Sequence, residues 1–279
     1  MKSTRKTQQP LSTKKLSRLI KQSQQKEASI RVSALESLVK TDHPCVFDAM
    51  VKALSDKNPT VRVTAVENLA LLKHEQAVPY LINKLADSNG EVRMRSVEGL
   101  GELLRGRSSP LALLQRLQDR DHLVRIAAAE ALGLIGDRKA LPALRKALRD
   151  ASALVRSYAS ESIGKIGDKG DIARLQNSLK HERSEIAKVG FYHALYLRGQ
   201  HAFLQELLTL LQSTDYRVRC AVANTLSTII ADETEREMIL RTLRKALRQE
   251  PTIAARSSIR SSLRQISEVG PTVRTSGQR

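Results

Sequence analysis

The sequence predicts an all-α fold, an α-solenoid of about eight helical hairpins. A Val-Arg-like pair recurs along the 279 residues at intervals of 31, 31, 32, 31, 31, 32 and 37 residues. Apolar residues make up 41% of the chain and aromatic residues only 3%, which favours helical cores of Leu, Ala, Val and Ile. No segment has the alternating pattern of a convincing strand.

The recurring pair defines the repeat unit. Its eight copies begin at Ile30, Val61, Val92, Val124, Val155, Ile186, Val218 and Ala255, and Arg follows in every copy except the one at Ile186. Self-similarity at this period is typical of stacked repeats, in which a unit buries its apolar face only against its neighbours.

Residues 124–148 show how one unit becomes two helices. One predicted helical stripe consists of Val124, Ala128, Leu132 and Ile135. Gly136 then interrupts the helix, and Pro142 falls in the first turn of the next one, where its missing N–H costs nothing. The second stripe consists of Leu141, Leu144 and Leu148. Neither stripe can be buried by one helix alone, so neighbouring units must stack.

Residues 124–168 resemble the short HEAT-like repeat of the phycobilisome lyase family, and the resemblance extends over roughly residues 28–265. It implies a ladder of Asp and Arg between layers. In four copies an Asp precedes the Arg by six residues: Asp56/Arg62, Asp87/Arg93, Asp119/Arg125 and Asp150/Arg156. We interpret these residues as holding the register of the stack. The resemblance does not fix a function, because lyases, adaptors and immunity-type proteins share this repeat.

The two ends of the chain differ from its middle. The net charge is +18; residues 1–26 hold eight Lys or Arg and no acid, and residues 241–279 hold nine against two acids. We therefore predict a basic, partly disordered arm at 1–27, the repeats at 28–265 and a disordered tail at 266–279. Within the arm, Leu16, Leu19 and Ile20 indicate the start of an extra helix. Such charge asymmetry indicates an anionic partner.

Basic side chains at the ends are candidates for binding nucleic acid or an acidic surface. In the arm these are Lys2, Arg5, Lys6, Lys14, Lys15 and Arg18. Near the C-terminus they are Arg241, Arg244, Lys245, Arg248, Arg256, Arg260 and Arg264. The last three follow one another at i, i+4 and i+8, which places them on one ridge of a helix. The planar guanidinium group of arginine can donate two hydrogen bonds at once to a phosphate or a carboxylate.

Motifs for catalysis or metal binding are absent from the sequence. There is no Gly-rich phosphate loop after a strand, no GxSxG and no Cys-x-x-Cys. The His-Glu pairs at His74 and His181 fall in linkers of different copies, so we expect no catalytic residue, metal or cofactor.

Cys45 and Cys220 lie in copies 2 and 7, which favours free thiols and a cytoplasmic protein. No apolar run approaches 18 residues, so we expect no membrane span.

A row of glutamates marks the candidate partner surface. When each second helix is numbered from its Val-like anchor as position 0, position 6 points away from the buried stripe. Position 6 is occupied by Glu36, Glu67, Glu98, Glu130 and Glu161, and then by Tyr192 and Asn224. Because second helices usually line the concave side of solenoids, this row predicts a groove for a basic peptide or helix. The alternative is that Glu is simply a good helix former at this repeat position.

The residues at position 2 of the same helices allow two interpretations. It is apolar in the first four copies, as Val32, Val63, Met94 and Ile126. These side chains either contact the neighbouring second helix or form an apolar floor beside the glutamates.

Together these patterns favour a non-catalytic adaptor or scaffold that binds a partner protein on its concave face. One alternative is association with nucleic acid or a ribonucleoprotein through the basic ends. Another, which the family resemblance implies, is a phycobilin lyase-like enzyme or subunit. Only one loose group of aromatic residues, Tyr158, Phe191, Tyr192 and Tyr196, is available to grip a flat chromophore.

Overall fold

The computed structural model describes residues 12–41, 43–229 and 231–268, and this part of the chain contains sixteen α-helices and no strand. The helices belong to two compact units, Met1–Ala143 and Leu144–Arg279. Consecutive helices pair as hairpins, and the second helix of each hairpin carries one of the predicted anchor pairs in its first turns. The predicted α-solenoid of eight hairpins is therefore confirmed.

Unit 1 contains the first four hairpins. Their helices are α1 (Thr13–Gln22), α2 (Ala28–Leu38), α3 (Cys45–Ala53), α4 (Pro59–Leu72), α5 (Val78–Lys84), α6 (Gly90–Leu103), α7 (Leu111–Gln115) and α8 (His122–Ile135). The second helices α2, α4, α6 and α8 pack side by side in chain order. The unit boundary falls within α9 (Leu141–Ala147).

Unit 2 contains the remaining helices. They are α10 (Ala153–Ile166), α11 (Lys169–His181), α12 (Glu185–Leu197), α13 (Phe203–Thr209), α14 (Tyr216–Leu226), α15 (Glu233–Gln249) and α16 (Ile253–Glu268). Here the second helices α10, α12, α14 and α16 pack in chain order. A continuous apolar core runs through hairpins 6 to 8, from Val189 to Ile266.

The local sequence explains where the second helices begin and end. Side-chain oxygens of Asn58, Asn89, Asp121 and Asp215 accept backbone N–H groups at the starts of α4, α6, α8 and α14, as helix N-caps do. Gly136 ends α8 in the left-handed region, at φ 83°. The two stripes predicted for residues 124–148 are buried throughout.

The ends of the repeat region extend beyond the predicted limits. The extra helix is present as α1, whose Leu16 and Leu19 are buried and which packs on α2. The boundary predicted at residue 265 falls inside α16, because Ile266 still belongs to its buried stripe. Residues 1–11 and 269–279, which include most of the predicted tail, lie outside the described residues.

Candidate functional site

In five of the hairpins the arginine after the anchor residue is paired with a carboxylate of the next hairpin. Arg62 donates from Nε and Nη2 to the two carboxylate oxygens of Asp87, at 2.9 and 2.7 Å. Its Nη1 donates to the carbonyl oxygen of Asp56 at 2.8 Å. The same arrangement recurs in Arg31–Asp56, Arg93–Asp119, Arg156–Glu182 and Arg219–Glu250. We call this set of pairs the arginine ladder.

The ladder was predicted, but the partner within each predicted pair was wrong. In all four predicted pairs the arginine donates to the main-chain carbonyl of the Asp six residues before it. In three of these pairs the carboxylate of that Asp is held by the arginine of the preceding hairpin: Asp56 by Arg31, Asp87 by Arg62 and Asp119 by Arg93. Helical pattern fixes which face a residue occupies but not which layer its side chain reaches.

Sequence reasoning also missed two acidic members of the ladder, Glu182 and Glu250. The available signal was spacing: Glu182 follows Arg156 by 26 residues, as Asp119 follows Arg93. Hairpin 6 has Ala187 at the arginine position, and there Ser213 donates its hydroxyl to Glu185 at 2.5 Å. At this junction of unit 2 a single serine–glutamate hydrogen bond thus replaces the arginine–carboxylate pair.

The environment keeps the ladder carboxylates ionised. Burial raises the pKa of Asp87 and Asp119, but hydrogen bonds from their arginines and from backbone N–H groups outweigh it, so each pKa lies below its ordinary value. A hydrogen bond from Arg219 lowers the pKa of Glu250 to about 2 despite its burial. Permanently charged, bidentate pairs of this kind position helices and do not exchange protons.

In unit 1 the position-6 glutamates lie on the outer face of the second helices. Glu36, Glu98 and Glu130 are exposed and Glu67 is half-buried. Arg95 of α6 lies between two of them, with Nε 3.0 Å from Glu67 Oε1 and Nη1 3.0 Å from Glu98 Oε2. The row is therefore acidic but partly neutralised by an arginine that the sequence analysis did not single out.

The apolar residues at position 2 do not form an open strip in unit 1. Val63 is buried, and Val32, Met94 and Ile126 are half-buried. This favours the packing interpretation over an apolar floor.

In unit 2 the position-6 residues have different surroundings. Glu161 is half-buried, with Lys165 Nζ 2.8 Å and His193 Nδ1 3.8 Å from its carboxylate. Burial raises its pKa, but the His193 ring and the Lys165 ammonium outweigh burial and lower the pKa to about 2. Tyr192 stacks on Phe203 at 5.9 Å between ring centroids, and Asn224 is exposed. The carboxylate of Glu161 is thus close to two basic side chains of its own chain, Lys165 and His193.

The aromatic residues of hairpin 6 are mostly part of the core of unit 2. Phe191 and Tyr196 are buried, and the Tyr196 hydroxyl donates to Glu235 at 2.7 Å. Tyr192 is half-buried, as is Tyr158 of the preceding hairpin. These rings do not line an exposed cradle.

The basic candidates lie on exposed helix surfaces wherever they are described. Exposed residues are Lys14, Lys15 and Arg18 on α1, Arg241, Arg244, Lys245 and Arg248 on α15, and Arg256, Arg260 and Arg264 on α16. Within the described residues, the only one of these with a carboxylate inside 4.0 Å is Arg264, beside Glu268. Lys2, Arg5 and Lys6 lie outside the described residues.

The described part of the chain contains no cluster of metal ligands, no disulfide and no helix of membrane-spanning character. No group of three or more His, Cys, Asp or Glu side chains is placed to hold a metal ion. Cys45 and Cys220 are both free. No described helix is long and apolar enough to cross a membrane.

Comparison with solved structures finds the same fold in proteins of different function. The complex of CpcE and CpcF of phycocyanin lyase from a Nostoc species matches with a TM-score of 0.59 and 22% identity, over 79% of this chain and 94% of that one. Kap95 in complex with Nup1 matches with a TM-score of 0.57 and 15% identity, over 91% and 41%. At these identities the likeness shows the fold alone. No curated protein matches the chain.

Family models match most of the chain. The model described as HEAT repeats matches residues 16–101 and 109–196, and the model described as HEAT repeat matches residues 203–232. These ranges coincide with the stacked hairpins and with most of the arginine ladder. The chain belongs to the HEAT repeat family.

Proposed function

We propose that this protein is a non-catalytic adaptor that binds a partner protein on the glutamate-bearing face of its second helices, the face that the sequence predicts to be concave. The observation that carries the proposal is the side-by-side packing of α2, α4, α6 and α8, which brings Glu36, Glu67, Glu98 and Glu130 onto neighbouring helices. Stacked second helices offer a long, continuous surface on which an extended peptide or a helix can lie.

The charge of this surface selects the partner. Glu36 and Glu98 are exposed carboxylates, and Arg95 neutralises only part of the row. A basic peptide or amphipathic basic helix from the partner would displace Arg95 and pair with Glu67 and Glu98. Such rim-type charge pairs set specificity and association rate more than affinity.

Relatives of the same fold give the proposal independent support. One matched structure is a complex of CpcE with CpcF, and another is a complex of Kap95 with Nup1. An adaptor of this kind would work in the cytoplasm, in keeping with the free Cys45 and Cys220.

Several features favour an adaptor over a phycobilin lyase. The aromatic residues of hairpin 6 are engaged in packing, with Phe191 and Tyr196 buried. The ladder carboxylates are fixed by arginines, as Asp119 is by Arg93. Association with nucleic acid through the basic ends stays a prediction that rests on charge.

Affinity purification with crosslinking, followed by mass spectrometry, tests the proposal. The full chain is compared with E36K/E98K and with the control D48K/E91K, which reverses two other exposed acids of unit 1. We expect the captured partner to be depleted about tenfold with E36K/E98K and retained with the control. Absence of any crosslinked partner, or equal depletion with both variants of intact helicity, would refute this proposal.

A further inference from the structure

The last described helix of unit 2 exposes a stripe that is buried or half-buried in the preceding hairpins. Positions 1, 5 and 9 of a second helix face the following hairpin. At position 1 the ladder arginine bonds the carboxylate of the following hairpin. At position 9 of α6, Gly101 lies so close to α8 that an added Cβ would touch Ala131. Position 5 is at most 1% exposed wherever the next hairpin belongs to the same unit: Leu35, Val66, Val97, Ser160, Phe191 and Ala223.

In α16 the same three positions are Arg256, Arg260 and Arg264, and all are exposed. We call this surface the terminal arginine face. Elsewhere position 5 is apolar or, once, Ser160; here three guanidinium groups cover the surface on which another hairpin would stack. A polar outer face is required of a terminal repeat, but a mixture of acids and bases would satisfy that requirement.

Arg256 is the arginine after the anchor residue of hairpin 8, and it has no carboxylate partner among the described residues. Its Nε donates to the carbonyl oxygen of Glu250, six residues earlier, at 2.6 Å. Arg219 donates to the equivalent carbonyl, that of Ser213, from Nη1, and it holds both oxygens of Glu250 with Nε and Nη2. No described carboxylate lies within 4.0 Å of Arg256, and residues 269–279 contain no Asp or Glu. Within the described residues, the two outer guanidinium nitrogens of Arg256 therefore have no carboxylate partner.

The neighbouring helix strengthens the positive charge. Helices α15 and α16 pack together and are linked by residues 250–252, so the C-terminal end of α15 lies near the start of α16. That end of α15 exposes Arg241, Arg244, Lys245 and Arg248. The acid in the linker, Glu250, is buried and paired with Arg219, so it does not offset these cations. Ile253, 85% exposed, adds an apolar contact in the first turn of α16.

We propose that the terminal arginine face docks an acidic helical segment of a partner protein, which takes the place of a following hairpin. Each complete pair of the described ladder joins an arginine to an Asp or Glu, so the available position of Arg256 fits a carboxylate. The i, i+4, i+8 spacing fits a helix with acids at the same spacing. Rings on which nucleic-acid bases could stack are absent from α15 and α16.

A second copy of this chain is not the expected occupant. In four of the five ladder pairs the acid lies six residues before the arginine that follows the next anchor, as Asp87 does before Arg93. In the first hairpin that place, six residues before Arg31, is held by Gln25. Stacking of hairpin 1 of one molecule on hairpin 8 of another would therefore bring no carboxylate to Arg256.

Fluorescence anisotropy with the full chain tests this proposal. The probe is a labelled helical peptide of about 20 residues with Glu at i, i+4 and i+8, and its matched partner carries Gln there. The variant R256Q/R260Q/R264Q is compared with K169Q/K180Q/R183Q, which removes equal charge from exposed sites of unit 2. We expect about tenfold weaker binding of the Glu peptide with the first variant only, and no binding of the Gln peptide.

A second variant and a second probe separate the alternatives. With R256K/R260K/R264K we expect several-fold weaker binding, because lysine keeps the charge but loses the fork. Equal binding of the Glu peptide by both Gln variants, full retention with the lysine variant, or no binding at low salt would overturn the proposal. So would arginine-dependent binding of a random RNA or DNA duplex in place of the peptide. This face lies in unit 2, so these outcomes are independent of the E36K/E98K result.

Discussion

At the scale of single residues, the ladder arginines combine two kinds of bond. Arg93 holds both oxygens of Asp119 and also the carbonyl oxygens of Asp87 and Ser88. A buried ion pair adds little net stability against an apolar pair, but removal of one partner is costly because it leaves an uncompensated charge. The ladder therefore sets which surfaces of two hairpins meet.

Glu250→Gln tests this at the most enclosed pair of unit 2. The amide keeps the size of the side chain but leaves the buried Arg219 without a counter-charge, so we expect a loss of about 3 kcal/mol in the free energy of unfolding. Urea denaturation at pH 7 measures it. The control, Glu237→Gln, changes an exposed acid of α15 and should alter stability by less than about 0.5 kcal/mol. Equal effects of the two substitutions would contradict this account.

The same residue predicts a dependence on pH. The pKa of Glu250 is lowered from 4.5 to about 2 in the folded chain. Its charge therefore contributes stability that is fully present above about pH 4.5 and is lost as the pH falls toward 2. We expect the wild-type chain to lose more stability than Glu250→Gln between pH 5 and pH 3 in urea denaturation. Parallel losses in the two proteins would show that Glu250 is not linked to folding.

At the scale of helices, close packing depends on small residues at crossing points. A Cβ on Gly190 of α12 would overlap the carbonyl oxygen and hydroxyl of Ser157 on α10, and one on Gly164 would overlap Ala194. The Ser157 carbonyl oxygen and the Ala194 Cα are backbone atoms that cannot easily move aside, so the glycines allow α10 and α12 to approach one another closely.

Gly190→Ala should therefore destabilise the chain. Overpacking costs about 1–3 kcal/mol, which exceeds the gain of up to about 1 kcal/mol from replacing a helical glycine. Thermal unfolding followed by circular dichroism measures the change. Gly170→Ala, on the exposed first turn of α11, is the control and should change stability by less than about 1 kcal/mol. A Gly190→Ala protein as stable as the control would contradict the tight α10–α12 packing.

The helices show what the sequence predicts well and what it does not. The period of the apolar residues and the turn residues predicted the hairpins. These signals are local: Val124 to Ile135 form one helix, and Gly136 ends it. Contacts between layers were not predicted: Arg95 between Glu67 and Glu98, or Glu161 beside His193. A periodic pattern assigns a side chain to a face, whereas its partner depends on the stagger of two helices, which no single helix encodes.

At the scale of the whole molecule, a repeat protein gains stability from each hairpin and from each junction between neighbours. The ladder pairs belong to junctions, so loss of one pair should loosen the two hairpins it joins. Asp87 joins hairpins 2 and 3 in unit 1, and Glu250 joins hairpins 7 and 8 in unit 2. We therefore expect a substitution at one junction to reduce stability only near that junction. A substitution at Asp87 and one at Glu250 can then serve as controls for each other.

Hydrogen exchange read by mass spectrometry tests this locality. Asp87→Asn leaves Arg62 without its counter-charge, so we expect amide exchange in α4 and α6 to accelerate, by about tenfold for each 1.4 kcal/mol lost. Peptides from α12 and α14 should keep their wild-type rates. Glu250→Gln should give the reverse pattern, with faster exchange in α14 and α16 only. Uniform acceleration along the chain in either variant would mean that the hairpins unfold as one cooperative body, and nearest-neighbour stacking would no longer describe the energetics of this chain.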